Sequence, residues 1–305
     1  MSGVESAPLL GQGTSITPRI ALGALHVGAL FFGLAGVLGK LAQTTPVVIV
    51  FGRTAFAVLA LACFARWAGG KRWRRPGLRD GRRLLLGGVL LAAHWLTFFI
   101  AIKVAGVAIA TLGFASFPAF TVLLESMLFR ERVRPMEGVL VLLVSIGLVL
   151  VTPTFDLASQ ATSGLLWGVG SGLLFALLSL NNRATSASVP SVQAALVQNA
   201  VVAALLLPFA APQLPGVTAM DWLWLALLGV FCTGLAHSLF VASLAVVKAR
   251  TAAVVFAMEP IYGIALAWLV FAERPSLMML AGGALIIFAI ALASLAPARH
   301  QAPAG

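Results

Sequence analysis

The sequence predicts an all-α membrane protein of ten transmembrane helices, arranged as two inverted five-helix repeats. Three observations lead there. Apolar residues dominate the whole chain, one stretch recurs at a fixed offset, and positive charge collects on one side of the predicted spans.

The 305 residues are 61% hydrophobic and 10% charged, with a mean hydropathy of +1.04. A soluble domain covers its surface with about 25% charged residues, so a soluble fold is excluded. A bilayer core is crossed by about 20 apolar residues in a helix. Runs of that kind lie at 20–39, 46–65, 84–102, 107–128 and 138–152, and again at 164–180, 192–210, 222–246, 251–271 and 277–295. Each is read as a helix because backbone groups in hydrocarbon must be satisfied within their own segment, and no barrel-strand alternation is visible.

The net charge of +11 raises nucleic acid as a partner, especially through Lys71, Arg72, Arg74, Arg75, Arg79, Arg82 and Arg83. Such a run between two apolar spans is what the positive-inside rule produces, and no nucleic-acid partner is expected. With both tails cytoplasmic, sixteen lysines and arginines fall inside, Lys40, Lys103 and Arg274 outside, and Arg53 within a span. Flipping the chain reverses that bias. Cys63 and Cys232 both lie in apolar runs and offer neither a disulfide framework nor a metal spacing. Residues 1–19 show no cleavable signal peptide and are read as a cytoplasmic tail.

The fourth and ninth spans overlay at an offset of 142 residues. Over the 23 positions from Ala110 to Arg132, eight pairs are identical, among them Phe114 with Phe256, Pro118 with Pro260, Phe129 with Phe271, Glu131 with Glu273 and Arg132 with Arg274. A shared proline and a Phe-x-Glu-Arg ending are not apolar coincidence. An odd number of spans per repeat makes the second copy enter the lipid from the opposite side. The predicted order is a tail at 1–19, a first repeat at 20–152, an extracytoplasmic linker at 153–163, a second repeat at 164–295 and a cytoplasmic tail at 296–305. Inverted repeats are an architecture of secondary transporters, whose site lies where the copies meet.

Lys40 ending the first span, Arg53 in the second, the stretch from Ala93 to Lys103, Phe129 to Arg132, Met258 to Tyr262 and Phe271 to Arg274 together resemble the drug/metabolite transporter superfamily, and within it the EamA-type ten-helix exporters. The resemblance covers nearly the whole chain. It implies a central cavity between the halves and a substrate among amino acids, related metabolites or drug-like solutes, usually exported. Uptake or exchange on the same scaffold is the alternative, and a non-transporting membrane sensor a more distant one. The same pattern points to the bacterial cytoplasmic membrane.

Arg53 and Glu259 are the charges deepest in the spans, each costing on the order of 3 kcal/mol at a helix centre unless paired or hydrated. Glu259 shares a helical face with Tyr262 and Gly263, so it is read as lining the pathway and binding a substrate amine or a coupling proton. A structural ion pair of Glu259 with Arg53 or Lys40 is the alternative. His26, His94 and His237 stand singly, with no metal-ligand spacing, and are read as interhelical hydrogen-bonding residues or proton carriers. Trp95 faces the same way as Phe98 and Phe99, which suits either an aromatic wall or packing. Asn181, Gln198 and Asn199 can bond a zwitterion or bond across helices.

Pro118 and Pro260, read as mid-span, each remove a helical hydrogen bond and free the carbonyls of Phe114 and Phe256, as packing kinks or gating hinges. Lys40, Glu131 and Glu273 are read as structural markers of the family. The stripe Gly164, Gly168, Gly172 and Ala176 suits close helix packing. No phosphate-binding loop of the Gly-x-x-x-x-Gly-Lys type occurs, so no nucleotide, metal or other cofactor is expected, with proton coupling left open. Nothing clusters as a nucleophile, base and orienter, so the chain is not read as an enzyme. Its expected partners are a small-molecule substrate and the lipid bilayer. Monomer and homodimer are equally compatible, because one chain already carries both halves.

Overall fold

The computed structural model describes residues 17–67, 75–129, 133, 135–151, 156, 158–183, 185, 188–236, 239, 243, 255 and 258–295. Among them the regular structure is helical throughout: α1 (Pro18–Leu41), α2 (Pro46–Trp67), α3 (Leu78–Phe114), α4 (Phe117–Phe129), α5 (Pro135–Val151), α6 (Gln160–Arg183), α7 (Ser191–Ala210), α8 (Ala219–Gly229), α9 (Glu259–Phe271) and α10 (Leu277–Leu295). A 3₁₀ turn (Ala211–Gly216) follows α7, and a π-helical turn (Val230–Leu235) prolongs α8.

Local signals set the starts. Thr17 Oγ1 accepts the Ile20 N–H at 3.3 Å with Pro18 in the first turn, and Thr218 and Asp221 form a reciprocal capping box at α8. Five segments are long and apolar enough to cross a bilayer: Arg19–Leu41, Pro46–Arg66, Leu78–Phe114, Gln160–Asn182 and Val192–Gly216. The other apolar helices are shorter, from 11 residues in α8 to 19 in α10. The protein is therefore a multi-pass membrane protein.

The fourth predicted span is divided. Gly106, at φ 84°, breaks α3, and the stretch from Val107 to Phe114 is continuous with it by hydrogen bonding. A second break falls at Ala115 and Ser116, where the Ser116 Oγ donates to the Gly113 carbonyl at 2.7 Å. Pro118 is thus not mid-helix, as the sequence suggests, but the second residue of α4, where a missing N–H costs nothing. Pro260 is likewise the second residue of α9. The α6 backbone at Gly172 comes close over the Phe114 carbonyl. Phe256 lies outside the described residues.

The repeat persists in three dimensions. α1 and α6 start 142 residues apart (Gln160 against Pro18), as do α4 and α9 (Glu259 against Phe117) and α5 and α10 (Leu277 against Pro135). Packing respects the correspondence: α2 packs on α7 and α5 on α10, while α1–α9 matches α4–α6 and α3–α7 matches α2–α8. Exchanging each helix for its counterpart returns each of these pairs, as a two-fold relation requires.

Small residues permit the closest of these contacts. A Cβ on Gly168 of α6 would lie 2.8 Å from the Ala110 carbonyl, and one on Gly172 would lie 2.7 Å from the Ser116 Oγ. Lipid supplies little hydrophobic drive between helices, so such backbone approach is where association energy comes from.

The bundle has two polar ends, which α3 connects. At one, Lys103 Nζ donates to the Ala42 carbonyl after α1 at 2.5 Å, and Asp221 Oδ1 accepts the Gln43 N–H at 2.7 Å. At the other, Asn181 in the last turn of α6 donates to the Arg83 carbonyl at 2.9 Å. Arg83 and Lys103 are about 30 Å apart along α3 at 1.5 Å per residue. The last turns of α1 and α6 therefore lie at opposite ends of the bundle.

Candidate functional site

Between those ends, α2, α3 and α8 bury a cation. Arg53 is 3% exposed, and its Nε and Nη2 donate to Thr233 Oγ1 at 3.2 and 2.8 Å. Thr233 lies in the π-helical turn, and its own hydroxyl donates to the Leu228 carbonyl at 3.2 Å. The guanidinium carbon stands 3.9 Å from the centre of the Trp95 ring and 5.5 Å from that of Phe99. A desolvated cation–π contact contributes about 2 kcal/mol. With the hydroxyl bonds it offsets much of the cost of burying the charge.

Next to that cation the aromatic residues of α3 pack into a cluster. His94 lies 5.2 Å from Phe114 and 5.0 Å from Phe175 between ring centres, and Phe98 lies 5.7 Å from both Phe99 and Phe114. His94 is buried, with Nδ1 at 2.7 Å from Ser171 Oγ on α6. Since that hydroxyl donates to the His94 carbonyl at 3.0 Å, Nδ1 is assigned as the protonated nitrogen. His94 thus bonds across helices, and Phe98 and Trp95 are largely covered by protein.

Glu259 opens α9 and is half-buried. Its charge is close enough to interact with that of Arg53. Among the described residues, however, no hydrogen bond or salt bridge reaches its carboxylate, and the structural pairing with Arg53 or Lys40 is not formed. One turn on, Tyr262 Oη meets His26 Nδ1 of α1 at 3.0 Å. A Cβ on Gly33 would lie 2.8 Å from the Gly263 nitrogen, so α1 and α9 touch backbone to backbone beside Glu259.

The amides lie nearer the Arg83 end. Gln198 Nε2 donates to Asn182 Oδ1 at 2.7 Å, and Asn199 Nδ2 to the Ala195 carbonyl at 2.8 Å. Both side chains are buried, and Asn199 Oδ1 has no partner among the described residues.

At the opposite end Lys40 pairs with Glu273 and stands 4.7 Å over the Phe271 ring. Glu273 Oε2 also accepts the Val107 N–H at 3.2 Å, capping the helix that resumes after Gly106. Glu131 and His237 lie outside the described residues. Among the described residues no three metal-ligand side chains gather.

Thr233, Ser171, Gly106 and Asp221 were not singled out from sequence. The Thr-x-x-Asp box at Thr218 gave a readable signal for Asp221. Thr233 and Ser171 gave none, since each acquires its role from a partner 180 or 77 residues away.

A family model described as the EamA-like transporter family matches residues 19–152 and again 162–295. An uncharacterized transporter of Bacillus subtilis, YxxF, is 22% identical over 270 residues, covering 87% of this chain and 86% of the relative. One of Archaeoglobus fulgidus is 27% identical over 281 residues, covering 90% and 96%. A solved crystal structure at 19% identity covers 90% of this chain and 96% of its own with a TM-score of 0.63, a likeness of fold alone.

Proposed function

The chain belongs to the EamA-like transporter family, and from that premise we propose that it carries a small zwitterionic metabolite out of the cell by alternating access. The observation that carries this reading is the relation of Arg53 to Glu259. Two opposite charges sit on different helices, each within the other's field, and no bond joins them. Arg53 is held by Thr233 and Trp95 instead, which leaves the Glu259 carboxylate to an occupant. A solute with a carboxylate for Arg53 and an ammonium for Glu259 satisfies both.

In this reading the repeats at 20–152 and 164–295 cross the bacterial cytoplasmic membrane ten times in opposite orientations, with both tails and the basic Arg83 end inside. The placement of the last turns of α1 and α6 at opposite ends of α3 supports the inversion. Five apolar helices are short, and the reading has them cross with the help of their flanking breaks. A gradient drives the cycle, with a proton as the coupling ion, and the chain works without a cofactor.

The test uses the purified full chain in liposomes and a mixture of radiolabelled proteinogenic amino acids, with and without an imposed pH gradient. Saturable flux above that of empty liposomes is the expected result, and no flux of any component overturns the zwitterion. Efflux from loaded cells sets the direction; net accumulation instead favours uptake on the same scaffold.

A further inference from the structure

Arg53 has a counterpart in the second repeat that a single offset hides. α7 begins 145 residues after α2 (Ser191 against Pro46), and α8 begins 141 after α3 (Ala219 against Leu78). These shifts carry Arg53 onto Gln198, Thr54 onto Asn199 and Phe56 onto Val201, and they carry Gly88 onto Gly229. Packing follows the same map. A Cβ on Gly229 would strike the Arg53 carbonyl and the Phe56 Cβ; one on Gly88 would strike the Gln198 carbonyl, at 3.2 Å, and the Val201 Cβ, at 2.5 Å. Side-chain bonding follows it as well. Thr54 Oγ1 donates to the Val50 carbonyl at 2.9 Å and Asn199 Nδ2 to the Ala195 carbonyl at 2.8 Å, four residues back in each helix.

The two posts are mirrored in depth. Arg53 and Gln198 each stand about 10 Å along the axis from the start of their helix at 1.5 Å per residue. α2 starts at the Lys103 end, whereas Gln198 is bonded to Asn182 in the last turn of α6, near the Arg83 end.

Asn199 departs from its counterpart in one respect. Thr54 has a single oxygen, which its back-bond engages, but the Asn199 amide retains a carbonyl that is buried without a partner among the described residues. The side chain is 4% exposed. An unmet acceptor in a membrane interior lowers stability, and a leucine of similar size would avoid the cost.

We propose that Gln198 and Asn199 form a second solute station, at the Arg83 end of the pathway, where the Asn199 carbonyl accepts an N–H or O–H of the passing solute. The station rests on the transport reading above. It gives each half of the pathway its own polar post, cationic at one end and a neutral amide at the other. The solute's donor group is held by Asn199 before its carboxylate reaches Arg53.

Two measurements test it. With Cys63→Ser and Cys232→Ala as background, Asn199→Cys and Val202→Cys are treated in membranes with a small charged methanethiosulfonate. Val202 lies one turn further along α7 and is fully buried. A solute station must be wetted during the cycle, so Asn199→Cys reacts at least tenfold faster; equal rates overturn the proposal. Asn199→Leu in liposomes then separates binding from packing. A station predicts at least a tenfold loss of amino-acid flux with the melting temperature unchanged or higher, and flux retained in full overturns it. Wild-type chain without flux overturns the transport reading, while the labelling rates still decide whether Asn199 meets water.

Discussion

The Arg53 guanidinium carbon stands over the Trp95 ring of its own repeat, 3.9 Å from the ring centre, while the guanidinium donates to Thr233 of the other. One side chain therefore links α2, α3 and α8. Its planar fork and delocalised charge suit both contacts, and a lysine ammonium suits neither fully. Arg53→Lys is expected to keep the fold and lose at least tenfold in flux, and Arg53→Leu to abolish flux. Liposome uptake, with melting temperature in parallel, checks both; Arg53→Lys at wild-type flux would reduce the cation to a packing element.

Glu273 joins three segments, pairing with Lys40 at the end of α1, accepting the Val107 N–H after the break and crowding Gly106. Gly106 adopts φ 84°, and a Cβ there would lie 2.9 Å from Glu273 Oε1. Gly106→Ala is expected to cost about 1–3 kcal/mol from a positive-φ, extended-ψ backbone that only glycine adopts readily, with more from the displaced carboxylate. A double-mutant cycle of Lys40→Ala and Glu273→Ala, read by detergent melting, should give a coupling energy of about 0.5–3 kcal/mol. Additive losses would show the pair to be idle.

Much of this was legible in the sequence, and the limits have physical causes. The membrane class, the repeat and the charge bias follow from composition and from the Pro118–Pro260 match, which depend only on residue type and order. The break at Ala115 was missed because a proline signals the turn before itself and its position within a helix cannot be read from an apolar run. The Arg53–Gln198 correspondence was hidden because α7 starts three residues late against the offset that fits α1, α4 and α5. Partners such as Thr233 for Arg53 and Ser171 for His94 are created by helix packing and leave no local trace.

The glycines of α6 face the straight test of close packing. Gly168 meets the Ala110 carbonyl and the Gly113 Cα, both backbone atoms that cannot rotate away. Gly168→Val is expected to separate α6 from α3 and cost about 1–3 kcal/mol, the usual penalty of overpacking. Gly170, with nothing near its Cβ position, is the control, and Gly170→Ala should leave the melting temperature unchanged or slightly raised. Equal effects at the two positions would contradict the stripe as a packing seam.

Glu259 decides whether the pathway uses a carboxylate that no hydrogen bond or salt bridge reaches among the described residues. It stands at the first residue of α9, beside the α1 contact at Gly33 and one turn from the His26–Tyr262 bond, so it faces charge from Arg53 and titratable groups from α1 and from its own helix. If it carries the coupling proton or the solute ammonium, Glu259→Gln removes the charge while keeping the shape. Flux should then fall at least tenfold and lose its dependence on an imposed pH gradient. His26→Phe supplies the contrast, because it breaks the tyrosine bond and leaves the carboxylate. It should lower flux less and keep the gradient dependence. A pH profile of Glu259→Gln that overlays wild type would remove the carboxylate from the cycle and leave Arg53 as the remaining charge for the solute.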